Sequence, residues 1–194
     1  MPRPPEFERT EVLHQAMEIF WRKGYKATSM KDLTRVTGLK PGSLYGAFEN
    51  KRSLFLESLE TYYDYNMAGL DERLRHDLSP ADRIRGVFER IIESSDRDPD
   101  NKGCMMVNTL LETPADDKEI NDRLREMFES VENKLRDIVT EAQQLRQISS
   151  DKDPRLLAQS LLMGMHGIRV FCKSRPDPHN LRRSVDALLQ SILH

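Results

Sequence analysis

The sequence has few cysteines and no long apolar run, and each absence excludes a class of protein. Its only cysteines, Cys104 and Cys172, lie far apart and in neither a CxxC nor a Cys/His ligand spacing. This argues against a structural zinc site and against the disulfide framework of secreted proteins. No stretch reaches the roughly 18 to 20 apolar residues of a membrane span, and the first residues lack the apolar centre of a signal peptide. We therefore expect a soluble, cytoplasmic protein without a metal, a cofactor or a membrane partner.

Motifs of catalysis are also missing. The chain shows no glycine-rich phosphate loop, no paired metal ligands and no nucleophile elbow. Its five histidines are scattered, at His14, His76, His166, His179 and His194. These absences predict that the protein is not an enzyme.

The charge is unevenly distributed, although the net charge is only -2. Up to Arg52 there are ten basic and six acidic residues, whereas the rest of the chain has an acidic excess. Basic side chains near phosphates release condensed counterions, and an acidic body discourages indiscriminate coating of DNA. The distribution favours a basic head that binds nucleic acid on an acidic body, with random scatter of charges as the alternative.

Residues 29–48 have the pattern of a helix-turn-helix. Two short helical patterns, Met30 to Thr37 and Pro41 to Phe48, are separated by Gly38-Leu39-Lys40. A glycine-centred break of three residues lets two helices cross steeply. Ser29 with Asp32 forms an imperfect capping box before the first of them. In such a unit the second helix can enter the major groove of DNA.

The remaining sequence is also helical, since no segment alternates apolar and polar residues over the length of a strand. Apolar residues of helical period from Val12 to Phe20 predict a first helix, which Gly24 ends. A long helix 4 is predicted over much of Lys51 to Arg75, too long for a helix confined to the head. Five more are predicted from Pro80 through Ile92, Gly103 to Glu112, Asp116 or Asp117 to about Leu145, Pro154 through Phe171 and Pro178 through Leu193. The loop between the fifth and sixth covers Ser94 to Lys102.

We therefore predict an all-α fold of about nine helices in two domains. A three-helix head at residues 6–66 is joined by helix 4 to a helical body at residues 67–194. The eighth helix is apolar around much of its circumference, which predicts that it is buried on two sides.

The head has a long, specific motif. It reads TSMKDLTRVTGLKPGSLYGAFENKRSLF and, with the first helix, covers roughly residues 10 to 56. This pattern resembles the TetR family of bacterial transcriptional regulators. Ala47 departs from it, because many members carry His or Tyr there. The Gly-Cys pair at the start of helix 6 resembles one subgroup of the family.

The resemblance implies a DNA-binding head and a body that binds an effector and dimerises. It implies a homodimeric, ligand-responsive repressor that binds a palindromic double-stranded operator through helix 3 and is released by a hydrophobic or electrophilic small molecule. The alternative is a helical small-molecule carrier, or an enzyme, without a DNA target. A pure carrier, however, needs no basic head.

Carried over residue by residue, the resemblance also implies DNA contacts. They are Thr28, Ser29, Lys40, Pro41, Gly42, Ser43, Tyr45 and Lys51. Leu44 and Phe48 are assigned to the core. Each polar candidate has a simpler alternative: Ser29 is only a helix cap, Tyr45 a packing residue and Lys51 a solvated charge.

Helices 8 and 9 are the predicted dimer interface, as in proteins that this chain resembles. Gly164 and Gly167 stand at a helical spacing that allows close approach of two helices. The predicted interface residues are Leu161, Gly164, Gly167, Ile168, Phe171, Val185, Leu188 and Leu189. Packing within a single chain is the alternative.

The body also holds candidate effector contacts. Methionines are soft and adaptable enough to line a pocket, and Cys104 near a helix start, after Lys102, is a candidate reactive thiol. The predicted pocket residues are Cys104, Met106, Met127, Phe128, Met163 and His166. Ordinary core methionines, a buried inert cysteine and a structurally satisfied histidine are the alternatives.

Overall fold

The structure is a computed structural model that describes residues 6–75, 77–174 and 177–193. Within these ranges it contains nine α-helices and no strand. The helices are α1 Glu6–Lys23, α2 Met30–Thr37, α3 Pro41–Phe48, α4 Lys51–Leu74, α5 Pro80–Asp96, α6 Met105–Glu112, α7 Lys118–Gln144, α8 Pro154–Cys172 and α9 Pro178–Leu193. The prediction of an all-α fold is confirmed, and His76 and His194 lie outside the described residues.

Local capping explains the ends of α1 and α2. Gly24 and Gly38 adopt left-handed backbone conformations, with φ of 80° and 66°, directly after these helices. The Ser29 hydroxyl accepts a hydrogen bond from the Asp32 amide at 3.1 Å, and the Ser29 amide donates to the Asp32 carboxylate at 3.0 Å. Both halves of a capping box are thus present, with Asp in place of the usual Glu. Hydrogen bonds from Lys23 and then Ser29 hold the pKa of Asp32 well below its usual range.

Two helix boundaries, the end of α5 and the start of α6, differ from the prediction. α5 continues to Asp96, so the loop that follows is shorter than the predicted Ser94 to Lys102. α6 begins at Met105 instead of Gly103, because Gly103 has a φ of 74° and cannot be part of a right-handed helix.

The described chain forms two compact units. Unit 1 comprises the described residues up to Asn66 together with Met105–Asn121. Its buried apolar side chains include Phe20, Leu33, Leu44, Phe48, Phe55, Leu59 and Tyr62. Phe20 packs edge-on against Phe55 with ring centroids 5.1 Å apart, and Trp21 packs edge-on against Tyr62 at 4.9 Å. This packing holds α1 against α4 in the head.

Unit 2 comprises Met67–Cys104 and the described residues from Asp122 onward. Its core is built mainly by α5, α7, α8 and α9, with Ile84, Phe88, Leu135, Val139, Leu161, Val185 and Leu189 among the buried side chains. Within one chain α8 is buried along one side only, since Leu156, Met163, Val170 and Phe171 remain exposed. One side of α8 is therefore buried within the chain, and burial of its other side remains a prediction.

The units do not follow chain order, because α6 and the first residues of α7 pack with unit 1. The predicted domain boundaries, at residues 6–66 and 67–194, remain a prediction. Across the described residues, none of the helices is long and apolar enough to cross a membrane.

Candidate nucleic-acid interface

The short helix α3 has a buried and an exposed side. Leu44 and Phe48, four residues apart, are buried in unit 1. Gly42, Ser43 and Gly46 are exposed, and Tyr45 keeps 45% of its surface accessible. Residues three and four apart share a helix face, so this exposed side forms one continuous surface of small and polar groups.

Among the described residues, the start of α3 presents one free backbone donor, the Gly42 amide, because the Ser43 and Leu44 amides donate to the Lys40 carbonyl at 3.0 and 3.1 Å. Pro41 occupies the first turn, where its missing N–H costs no hydrogen bond. Lys40 has an extended backbone, and its side chain makes no cap hydrogen bond within the described part of the chain. Amides in the first turn of a helix without a side-chain cap favour an anion such as phosphate. Lys40, which is exposed, adds a positive charge at the same end.

The hydroxyls of Thr28 and Ser29 both form hydrogen bonds within the chain. Thr28 is only 1% exposed, and its hydroxyl donates to the Gly24 carbonyl at 2.7 Å. This hydrogen bond stabilises the turn between α1 and α2, and the assignment of Thr28 as a DNA contact remains a prediction. Ser29 is exposed, but its hydroxyl is already engaged with Asp32 in the capping box.

Lys51 lies at the start of α4 over an aromatic ring. Its ammonium nitrogen is 4.4 Å from the centroid of Tyr25, a cation–π distance. Tyr25 in turn packs against Phe55 with centroids 4.9 Å apart. Burial lowers the pKa of Lys51. The ring holds the charge at one place on the surface of unit 1.

Arg52, the next residue, is occupied by carboxylates. Its guanidinium donates to both oxygens of Asp117, at 2.9 and 2.7 Å, and to Glu119 at 2.8 Å. The pairing raises the pKa of Arg52 and lowers that of Asp117. Asp117 also accepts from the Ile120 amide at 3.3 Å and so caps α7. Arg52 is therefore a link between α4 and the start of α7 within unit 1.

The predicted effector residues have different surroundings. Met106 belongs to unit 1, while Cys104, Met127, Phe128 and His166 belong to unit 2. Cys104 and Cys172 are buried free thiols. Met163 is 67% exposed, so it lines no interior pocket of a single chain.

The ring of His166 is packed against Phe128, with centroids 5.1 Å apart. Both of its nitrogens are buried without a hydrogen-bond partner among the described residues. Burial, and then the charge of Arg169, lowers its pKa to about 4. The imidazole is consequently neutral near pH 7.

Most of the predicted interface residues belong to the core of unit 2. Leu161, Ile168, Val185 and Leu189 are buried there, with Leu188 packed against them. A Cβ at Gly164 would lie 2.7 Å from the Leu188 side chain, so this glycine accommodates a neighbour in its own chain. Their role in a dimer interface remains a prediction, since within one chain these residues already pack against each other. Gly167 and Phe171 are exposed.

Sequence reasoning missed several residues at the candidate interface. Arg9, Tyr25 and Asp117 act through partners 26 to 65 residues away in the chain, and no spacing rule connects them. Gly46 did leave a signal, since it stands four residues after Gly42 on the same helix face. Of the described residues, no three or more His, Cys, Asp or Glu side chains form a group that could hold a metal ion.

The sequence of this chain is similar to those of known protein families. Residues 12–58 match the bacterial regulatory proteins of the tetR family, and residues 80–188 match the tetracyclin repressor-like C-terminal domain. The uncharacterised regulator YezE of Bacillus subtilis is 29% identical over 97% of this chain and 98% of its own length. The transcriptional repressor ComR of Escherichia coli is 30% identical over 88% of this chain and 82% of its own.

The fold of this chain is also similar to that of a solved structure. A cysteine mutant of the TetR family regulator CifR, in complex with 26-bp double-stranded operator DNA, superposes with a TM-score of 0.85. It is 25% identical and covers 97% of this chain and 98% of its own. The matches span both the helix-turn-helix and the helical body, and the chain is a helix-turn-helix transcriptional regulator that belongs to the TetR family.

Proposed function

We propose that the protein is a homodimeric repressor in the cytoplasm. It binds a palindromic operator through the exposed side of α3 and releases it when a small molecule binds in unit 2. The observation that carries the proposal is the division of α3: Leu44 and Phe48 fix the helix from inside, while Gly42, Ser43, Tyr45 and Gly46 are exposed. A side of small and polar groups suits contact with base edges in the major groove.

Phosphate contacts complete this interface. Lys40 and Lys51 provide positive charge at the start of two successive helices, and the Gly42 amide provides a donor in the first turn of α3. Such contacts fix the orientation of a protein on the duplex, while side chains at the base edges carry the sequence information. Ser43 and Tyr45 are the proposed base- or phosphate-contacting side chains, with Pro41 and Gly42 allowing close approach.

The exposed side of α8 is the proposed dimer surface. Its residues recur at helical spacing along one face: Leu156, Met163, Gly167, Val170 and Phe171. One short helix reads only a few base pairs, whereas a two-fold dimer places two reading helices on a palindrome. An apolar stripe of this kind is self-complementary about a two-fold axis. We call it the α8 stripe.

The effector is proposed to bind beside His166 and Phe128. A neutral imidazole with two unpaired nitrogens, next to an aromatic ring, provides the mixture of polar and apolar groups typical of ligand sites. The chain passes from unit 1 to unit 2 within α4, so a ligand that favours another position of α4 shifts the population away from the DNA-binding state.

Binding to DNA tests the proposal directly. The purified protein is expected to bind a palindromic fragment upstream of its own gene with a dissociation constant of about 10⁻⁸ to 10⁻¹¹ M, and scrambled DNA at least about 1,000-fold more weakly. Affinity should fall steeply with salt, because phosphate contacts release counterions. Equal affinity for both fragments would contradict the proposal. Ligand binding by a protein with no DNA target would favour the carrier.

Gly46 provides a further prediction. It lies within α3, and a Cβ there would meet nothing within 4 Å. Glycine in a helix is less stable than alanine by about 0.5–1 kcal/mol. Gly46→Ala should therefore raise the melting temperature by a few degrees. It should also weaken operator binding by about tenfold, because the added methyl group crowds a closely approaching base edge, a cost of about 1–3 kcal/mol.

Gly86→Ala is the matched control. Gly86 is helical as well, in α5, and a Cβ there also meets nothing within 4 Å. It should raise the melting temperature similarly and leave operator affinity unchanged. Calorimetry and fluorescence anisotropy measure the two effects, and stronger operator binding by Gly46→Ala would contradict the assignment.

A further inference from the structure

Arg9 of α1 lies at the carboxyl end of α3, the opposite end of the helix from Lys40. Its Nη1 donates to the Ala47 carbonyl at 2.7 Å, and its Nη2 donates to Glu57 of α4 at 2.6 Å. The guanidinium carbon also lies 4.2 Å from the centroid of the Phe48 ring. One side chain thus contacts α3 twice and α4 once.

The composition of α3 makes such a contact important. The helix has eight residues, among them Pro41, Gly42 and Gly46. Helices of this length are unstable in isolation, and two glycines weaken this one further. Glu49 follows α3 with a φ of 57°, a left-handed value at a position where glycine is usual. The conformation of α3 therefore depends on contacts with the rest of unit 1.

Leu44 and Phe48 provide those contacts from the inside, and Arg9 adds a polar contact at the carboxyl end of the helix. The Ala47 carbonyl is one of the last four of α3, which have no partner inside the helix. A cation there is also favoured by the helix dipole. Glu57 holds the guanidinium from the other side, so Arg9 ties the end of α3 to both α1 and α4.

We propose that Arg9 is a positioning residue for operator recognition. It fixes the angle at which the exposed side of α3 meets base edges, without touching DNA itself. The proposal rests on the proposed function, since it concerns operator discrimination. It predicts a loss of sequence specificity with no loss of phosphate contacts.

The experiment measures affinity for the operator and for a scrambled duplex over a range of salt concentrations. Arg9→Met keeps the aliphatic stem and removes the guanidinium. We expect it to weaken operator binding at least tenfold, about 1.4 kcal/mol, while scrambled-DNA affinity and the salt slope stay at the wild-type values. Arg125→Met is the matched control, because Arg125 is exposed on α7 in unit 2 and pairs with Asp122. It should change none of these quantities.

Other outcomes separate the alternatives. Equal weakening on both duplexes, with a salt slope reduced by about one, would show that Arg9 contacts a phosphate and would overturn the proposal. Lys51→Met, which removes a proposed phosphate contact, should weaken binding to both duplexes equally and reduce the salt slope by about one. It therefore serves as the reference for the loss of a phosphate contact. Unchanged operator affinity of Arg9→Met would also overturn the proposal. A wild-type protein that does not distinguish the duplexes would instead refute the proposed function.

A second variant tests the proposal independently in case Arg9→Met does not fold. Glu57→Gln keeps Arg9 and its bond to Ala47 but removes the charge that orients the guanidinium. It should lower operator affinity in the same selective way, by a smaller factor. The double variant should be no weaker than Arg9→Met alone, because both changes act through one contact. Additive losses would overturn the proposal.

Discussion

Met163→Glu combined with Phe171→Glu is expected to convert the protein from a dimer to a 22.6 kDa monomer. Both side chains belong to the α8 stripe and are more than half exposed, at 67% and 57%. Dimerisation would bury four carboxylates against apolar side chains, and an unpaired buried charge is strongly unfavourable. Since neither residue belongs to the core of unit 2, the monomer should stay helical.

Loss of the dimer should weaken operator binding by at least about 100-fold, because a monomer keeps only one of the two half-site contacts that give a dimer its specificity. Sedimentation and anisotropy measure the two effects. Leu111→Glu is the matched control: Leu111 is 78% exposed on α6, outside the stripe. It should leave both mass and affinity unchanged. A double variant that remains dimeric would place the interface elsewhere.

Two neighbouring residues of α3 should give opposite results when each is changed to alanine. Leu44 is 1% exposed, and Leu44→Ala should lower the free energy of unfolding by about 2–5 kcal/mol. Tyr45 is 45% exposed, and Tyr45→Ala should change it by no more than about 0.5 kcal/mol. Removing Tyr45 should nevertheless weaken operator binding by about 10- to 100-fold, since a direct DNA contact contributes about 1–3 kcal/mol.

Denaturant unfolding and anisotropy, measured on both variants, distinguish a residue that stabilises the fold from a residue that contacts DNA. The Leu44 variant should regain much of its operator affinity at low temperature, where more of it is folded. The Tyr45 variant should not. Wild-type affinity of Tyr45→Ala would remove Tyr45 from the interface, and wild-type stability of Leu44→Ala would contradict the inward side of α3.

The sequence predicted the boundaries of α2 and α3 to the residue. The reason is local: Ser29, Gly38 and Pro41 determine the start or end of a helix through their own side chains or backbone. The division of α3 into an inward and an exposed side also follows from a spacing of four between Leu44 and Phe48. Information of this kind is contained within a few consecutive residues.

Long-range packing could not be predicted in this way. α8 is apolar on both sides, so periodicity could not show that Leu161 is buried in the core while Met163 and Phe171 are exposed. Thr28 has a hydroxyl that could contact a phosphate, yet the turn that begins at Gly24 brings the Gly24 carbonyl within hydrogen-bonding distance of that hydroxyl. Arg9 meets Ala47 only because the fold joins residues 38 positions apart.

In the proposed effector site, the unpaired ring of His166 would influence the range of compounds that the protein detects. Each buried nitrogen without a partner costs about 1–3 kcal/mol, which a ligand recovers if it brings a hydrogen bond. A neutral imidazole has one donor and one acceptor nitrogen, and the proton can occupy either position. The same side chain can therefore satisfy a carbonyl from one compound and a hydroxyl from another. Chemical breadth of recognition would then arise from tautomer exchange, without any change in the packing around Phe128.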